Sequence, residues 1–91
     1  MATTLVEIGH EAGVDGREGQ RTTKIRIPDG LGTTEAFLSI KDLLPRHIRP
    51  GEPAVWVKAE DASLQRMLLE HLGISARSNR RPAGWGQGEG R

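Results

Sequence analysis

The sequence predicts a small α+β domain with the element order β-β-α-β-α, in which two helices cover one face of a three-stranded, mainly antiparallel sheet. Three observations lead to this prediction. Apolar residues alternate with polar residues or glycine near the start of the chain, as in a strand buried on one side. Two later segments repeat apolar residues at helical spacing. Between them, the valine-containing run 54–59 favours a third strand.

A β-hairpin is expected over residues 4–27. Asp15-Gly16 lies near its centre, and this dipeptide is favoured in two-residue hairpin turns because both residues tolerate positive φ. A turn there sets the pairs Val6–Ile25, Glu7–Lys24, Ile8–Thr23 and His10–Arg21. This register agrees with the hydrophobic pattern, since it gathers the large aliphatic residues of both strands on one side. The outer half, residues 9–22, has little to bury, so it is either a solvated ribbon or an arm that contacts a partner.

The first helix is expected at residues 33–44. Its apolar face comprises Phe37, Ile40 and Leu44, which recur at helical spacing. Thr33 or Thr34 is expected to cap its start by accepting a hydrogen bond from a free backbone N–H. Pro45 is expected to end it, because the residue before a proline is disfavoured in the helical conformation.

The second helix is expected at residues 62–72, with Asp61 or Ser63 as its cap and Gly73 just beyond its end. Its apolar face comprises Leu64, Met67, Leu68, His71 and Leu72. Leu69 widens that face to about 200°, because each helical residue advances by about 100°. Two explanations are open for the widened face. Leu69 is either deeply buried within the domain or part of an interface with a second copy or another partner.

Residues 76–91 are predicted to be a flexible basic tail on a domain formed by residues 1–75. The tail holds four of the 13 Lys/Arg and one of the 12 Asp/Glu, a net charge of +3, while residues 1–75 have a net charge of −2. The core pattern does not need the tail, so its removal is expected to leave the fold intact. The candidate nucleic-acid contacts are Arg77, Arg80, Arg81 and Arg91 on phosphates and Trp85 on a base. The same composition also suits a plain disordered terminus, or a tail that docks its tryptophan into a protein pocket.

Residues 68–81 resemble the middle of a helix-turn-helix. Gly73 stands at the turn and Ser75 at the cap of the second helix. The sequence departs from the pattern at Leu69, where the helix crossing needs a small residue, and at Asn79, where an aliphatic residue is normally buried. The resemblance implies a short recognition helix after Gly73. The alternative is a helix that ends at Gly73 and runs into the tail.

Several classes of function are excluded or disfavoured by the composition. The absence of cysteine excludes disulfides, thiol catalysis and Cys-based zinc sites. His10, His47 and His71 have no second ligand at zinc spacing, so neither a metal nor another cofactor is expected. No serine lies in a nucleophile elbow, so no catalytic residue is assigned and an enzyme is not expected. The start lacks a signal-peptide pattern and no apolar run approaches the ~20 residues of a membrane span, so a cytoplasmic protein without membrane contact is expected.

The sequence therefore predicts a small non-enzymatic binding module. The first interpretation is a nucleic-acid-associated regulator whose tail gives weak, non-specific electrostatic affinity, with Arg17 and Arg21 as secondary contacts. The alternative is a protein-binding adaptor or inhibitor that uses the hairpin arm and the second helix. Leu69 would then be the interface residue, and a homodimer through it is one form of this alternative. The negative charge of residues 1–75 favours a protein partner, whereas the arginine tail favours nucleic acid.

Overall fold

The computed structural model describes residues 3–11, 20–49, 51–81 and 85. Their regular elements, in chain order, are β1 (Thr3–His10), β2 (Arg21–Pro28), α1 (Thr33–His47), β3 (Ala54–Ala59) and α2 (Ala62–Leu72). The strands form one sheet in the order β2-β1-β3, and both neighbouring pairs are antiparallel. The predicted α+β fold and its element order are therefore confirmed.

The register of the hairpin strands is the one that the sequence predicts. The observed pairs include Val6–Ile25, Glu7–Lys24, Ile8–Thr23 and His10–Arg21. The predicted turn at Asp15-Gly16 lies outside the described residues. The β1–β3 pairing was not predicted in detail, and its register shifts between Gly9 and His10, which leaves Val55 as an extra residue on β3.

One aliphatic core joins the sheet to both helices. Its buried members are Val6, Ile8, Ile25, Ile27, Ala36, Ile40, Leu44, Val57, Leu64, Leu68 and Leu69. Successive strand residues point to opposite faces, so these valines and isoleucines define the face that α1 and α2 cover. Burial of each large aliphatic side chain contributes roughly 1.5–3 kcal/mol, which makes this layer the main source of stability.

The two helices are joined at their starts by one aspartate. Neither predicted threonine caps α1, because its N-cap is Gly32 without a side-chain hydrogen bond. The Thr33 hydroxyl donates instead to Oδ2 of Asp61 at 2.9 Å. Oδ1 of Asp61 accepts from the Ser63 backbone N–H at 2.9 Å, which is the predicted cap of α2.

The end of α1 differs from the sequence prediction, because Pro45 lies inside its last turn and does not stop it. A proline this close to the end removes only one intrahelical hydrogen bond. The Ile48 N–H donates to the Leu44 carbonyl at 2.8 Å, and the Arg21 guanidinium donates to the His47 carbonyl at 2.6 Å. A cation at the carboxyl end also interacts favourably with the helix dipole. These contacts explain why α1 continues to His47.

The bounds and both ends of α2 are as predicted, with Gly73 in the left-handed region at φ 74°. Leu69 is only 6% exposed and belongs to the core, so deep burial accounts for the wide apolar face. Little of Leu69 is therefore available to a partner, and the interface through it stays a prediction. His71, predicted on the buried face, is exposed, and its ring meets the Phe37 ring edge-on at 5.7 Å.

Residues 73–81, the continuous described stretch after α2, contain no second helix of a helix-turn-helix. Within the described part, residues 75–78 form a turn in which the Ser78 N–H donates to the Ser75 carbonyl at 2.9 Å. Asn79, which departs from the helix-turn-helix pattern, lies against the sheet. Its side-chain carbonyl accepts from the Val57 N–H at 2.7 Å, and its amide donates to the Val57 carbonyl at 3.0 Å.

Trp85 differs most from its sequence prediction. Its side chain is 4% exposed and packs edge-to-face on Trp56, with ring centroids 5.7 Å apart. The indole N–H donates to the Thr22 hydroxyl at 3.0 Å. Periodicity along the chain does not reveal this contact, because the partners of Trp85, Trp56 and Thr22, are distant in sequence. The expectation that the tail contributes no apolar group to the fold is therefore not met at Trp85.

Replacing Trp85 with alanine should destabilise the domain by about 3–5 kcal/mol, because a buried tryptophan is truncated. Denaturant unfolding followed by far-UV circular dichroism measures this change. Leu38→Ala is the matched control, since Leu38 is 51% exposed and its truncation should change the free energy of unfolding by no more than about 0.5 kcal/mol. Similar small effects for both variants would contradict the placement of Trp85.

Candidate functional site

The side of the sheet opposite the helices is the candidate functional surface, and we call it the open face. Strand alternation and register assign to it Leu5, Glu7, Gly9, Thr22, Lys24, Arg26, Trp56 and Lys58. These residues form rows across the strands. One row is Lys24–Glu7–Lys58, and the next row toward the aromatic end is Thr22–Gly9–Trp56. The open face therefore has a charged part and an aromatic part side by side.

The aromatic part is built on a close contact between Trp56 and Gly9. A Cβ placed on Gly9 would lie 2.0 Å from Nε1 of Trp56, so only glycine fits beneath the indole. Trp56 itself is 1% exposed. Its Nε1 is buried and has no hydrogen-bond partner among the described residues. The indole thus lies directly against Gly9 of the central strand, with one donor unsatisfied.

Three residues from the chain after α2 cover this part of the open face, and we call Asn79, Arg81 and Trp85 the strap. Asn79 occupies the free edge of β3 through its two hydrogen bonds to Val57. The Arg81 guanidinium lies 5.6 Å from the centroid of the Trp56 ring, within the range of a cation–π contact. Trp85 reaches β2 through Thr22. The strap therefore touches both edge strands and covers the Trp56 indole.

The charged part of the open face is positive. Lys24, Arg26 and Lys58 are exposed, Glu7 is the one carboxylate among the strand residues of the open face, and Glu60 lies at its edge beside Lys58. Glu7 pairs in register with Lys24 on one side and Lys58 on the other. Among the described residues, none of these three cations has a salt bridge within 4.0 Å. Their charges are thus available to an external anion.

The predicted site residues are distributed unevenly. Arg77, Arg80 and Arg81 are exposed, and Arg81 stands beside the aromatic part of the open face. Trp85 is buried, so in this arrangement its indole does not offer a free face to a base. The remaining tail candidate, Arg91, and the hairpin candidate, Arg17, lie outside the described residues.

Arg21, the other hairpin candidate, has a structural role. Its Nε donates to Oε1 of Glu52 at 2.9 Å, one terminal nitrogen donates to the Thr23 hydroxyl at 3.1 Å, and the other to the His47 carbonyl at 2.6 Å. These contacts join β2 to the end of α1 and to the loop before β3. A guanidinium held in this way is a poor candidate for a phosphate contact.

His10 lies buried beside that arginine and is fully enclosed. Its Nε2 is 2.9 Å from the Thr23 hydroxyl, while its Nδ1 has no partner among the described residues. Burial lowers the pKa of His10 below its usual value of 6.5, and the nearby charge of Arg21 lowers it further. The imidazole is therefore neutral in the fold near pH 7.

No protein-family model, curated protein or solved structure matches this chain. Among the described residues, no helix is both long and apolar enough to cross a membrane. The same residues contain no group of three or more His, Cys, Asp or Glu that could hold a metal ion. Function therefore has to be inferred from the open face itself.

Sequence reasoning missed four residues of the site: Gly9, Thr22, Trp56 and Asn79. Two of them carry a recognisable signal. A glycine inside an alternating strand indicates close approach of another group, and a tryptophan on the strand face opposite the core needs a cover. The contact from Asn79 to a strand edge has no comparable signal, because its partner is set by the path of the chain after α2.

The neutral state of His10 predicts that stability falls with acidification. The unfolded chain takes up a proton near pH 6.5, whereas the folded chain does so only at lower pH, so the free energy of unfolding should decrease as pH falls below about 6.5. Denaturant unfolding at pH 7.5 and pH 5 measures this. The exposed carboxylate of Asp61 also has a lowered pKa, first because of its hydrogen bond from Thr33. It changes the free energy of unfolding only near and below its ordinary pKa of 3.8, so it contributes little between pH 7.5 and pH 5.

His10→Asn should reduce this pH dependence, whereas His71→Gln, at an exposed histidine, should retain it. An unchanged difference between pH 7.5 and pH 5 in His10→Asn would show that another group is responsible.

Proposed function

We propose that this chain is a small non-enzymatic binding module that contacts nucleic acid through the open face of its sheet and the arginines that follow α2. The observation that carries the proposal is the set of exposed cations Lys24, Arg26 and Lys58 on the side of the sheet opposite α1 and α2. With Arg81 these give four positive charges against the two carboxylates of Glu7 and Glu60, a net charge of +2. Phosphates are the common polyanion that such a surface suits.

The distribution of charge over the molecule supports this choice of face. In α1, Lys41 and Arg46 are balanced by Glu35 and Asp42, and in α2 one arginine is balanced by one glutamate. The helices are therefore close to neutral. The net charge of the whole chain is only +1, so the total does not reveal this uneven distribution. Positive charge is concentrated on the open face and in the segment after α2, so an anionic polymer is attracted to that side.

The arginines after α2 extend the same surface. Arg77 and Arg80 are exposed, and Arg81 lies against Trp56 at the border of the open face. A strand of nucleic acid lying along the open face would meet the sheet cations and these arginines together. Contacts with the phosphate backbone of the nucleic acid give affinity without sequence preference. We also propose a cytoplasmic location, because small secreted domains commonly rely on disulfides and this chain has no cysteine.

A protein partner is the second candidate. It is favoured by a shallow apolar groove near the end of α1, lined by Lys41, Leu44, Pro45, Ile48 and His71. An adaptor or inhibitor would use this groove on the helical side, whereas nucleic acid would use the open face. The two candidates therefore make opposite predictions about which side of the molecule matters.

Lys24→Gln/Lys58→Gln should weaken binding of a single-stranded oligonucleotide and lower its salt dependence. The slope of log K against log salt should become less steep by about 1.4, because each lost phosphate contact removes about 0.7. Fluorescence anisotropy over a salt series measures both quantities.

Lys41→Gln/Arg66→Gln is the matched control, since it removes two exposed cations from the helices. It should leave the slope unchanged. Equal effects of the two double variants would contradict a site on the open face. Absence of binding by the unaltered protein at low salt would contradict nucleic-acid binding itself and leave the protein partner.

A further inference from the structure

We propose that Trp56 and Thr22 form a stacking site for one base of single-stranded nucleic acid, and that Trp85 fills this site within the same chain. This inference rests on the proposed function. It adds that the nucleic acid is single-stranded and that Trp85 limits its binding. Release of the strap would expose the Trp56 indole beside the sheet cations. Binding of the base and docking of Trp85 are then mutually exclusive.

The group that fills the site resembles a base in its chemistry. Trp85 presents a planar nitrogen heterocycle, packs against the Trp56 ring at 5.7 Å and donates its ring N–H to Thr22 at 3.0 Å. Nucleobases are also planar, and they carry ring or exocyclic N–H groups that a threonine hydroxyl accepts. Aromatic side chains that stack on bases contribute about 1–3 kcal/mol per base. Exchange of an indole for a base therefore replaces one aromatic contact by another.

The Trp56 indole can lie directly against β1 because Gly9 has no side chain. The same ring contacts Trp85 and Arg81, which bury it. When Trp85 covers the site, one hydrogen-bond donor is left unsatisfied, because the buried Nε1 of Trp56 has no partner among the described residues. The rings of Trp56 and Trp85 meet at 83°, edge to face. Trp85 therefore does not stack in parallel on Trp56, as a base would.

Cations lie next to the site at strand spacing. Lys24 follows Thr22 by two residues on β2, and Lys58 follows Trp56 by two residues on β3, so each lies about 7 Å further along the same face. A base held on Trp56 would have its neighbouring phosphates over these lysines. The exposed Arg81, which leaves the indole when the strap is released, is free to contact a further phosphate.

Competition within the chain gives a quantitative expectation. When only a fraction of molecules has the strap released, the apparent affinity is reduced by that fraction. A change that removes one neutral hydrogen bond from the strap should raise the released fraction, and hence the affinity for a single strand, by about two- to tenfold. Double-stranded DNA, whose bases are already stacked, should gain nothing.

Trp85→Phe tests this, since it removes the donor of the hydrogen bond to Thr22 and leaves Trp56 as the sole tryptophan. This variant should bind a ten-residue oligothymidylate about two- to tenfold more tightly than the unaltered protein. Thr22→Val added to Trp85→Phe should reverse at least part of this gain, because the base then loses the same acceptor. Thr3→Val, at an exposed threonine at the other end of β1, is the control and should bind as the unaltered protein does.

In the Trp85→Phe variant, the oligonucleotide should also quench the emission of Trp56, and a duplex of the same length should not. Unchanged or weakened single-strand binding in Trp85→Phe, with no quenching, would overturn the stacking site. The proposed function would stand in that case if the unaltered protein still bound with a salt-dependent affinity. Loss of binding in every variant and in the unaltered protein would overturn both.

Discussion

At Gly9 the central strand has no Cβ, and the Trp56 indole lies so close that a side chain there would meet its Nε1 at 2.0 Å. This contact places a large aromatic ring on the side of the sheet opposite α1 and α2. An indole in that position must be covered from above, and the chain after α2 supplies the cover as Arg81 and Trp85. The aromatic part of the open face, the cation–π contact of Arg81 and the burial of Trp85 all depend on the contact between Gly9 and Trp56.

Much of the fold follows from local patterns in the sequence. The hairpin register could be predicted because the hydrophobic alternation and the Glu7–Lys24 charge pair agree on one alignment. The start of α2 could be predicted because Asp61 has the side chain that a helix cap requires. The end of α1 could not, because the contact that holds its last turn comes from Arg21 on a distant strand, 26 residues from His47.

Less of the candidate site could be predicted. The arginines after α2 are visible as a change in charge along the chain, and Arg77 and Arg80 are exposed as expected. Trp85 lies among glycines and arginines, a composition that indicates disorder, yet it is 4% exposed against partners as far as 63 residues away. The composition of residues 76–91 describes that segment by itself. It contains no information about the Trp56 indole, which Trp85 buries. The residues that define the site therefore become apparent only when the three strands are brought together.

The proposed function requires nucleic acid to contact the open face of the sheet and not the helices. Titration of the uniformly ¹⁵N-labelled protein with a single-stranded oligonucleotide, followed by heteronuclear NMR, tests it most directly. We expect the largest shift changes at Thr22, Lys24, Lys58 and the Trp56 indole N–H, with little change along α1 and α2. Changes centred on the outward residues of the helices, such as Lys41 and Arg66, would contradict the account, as would a spectrum that does not respond at low salt.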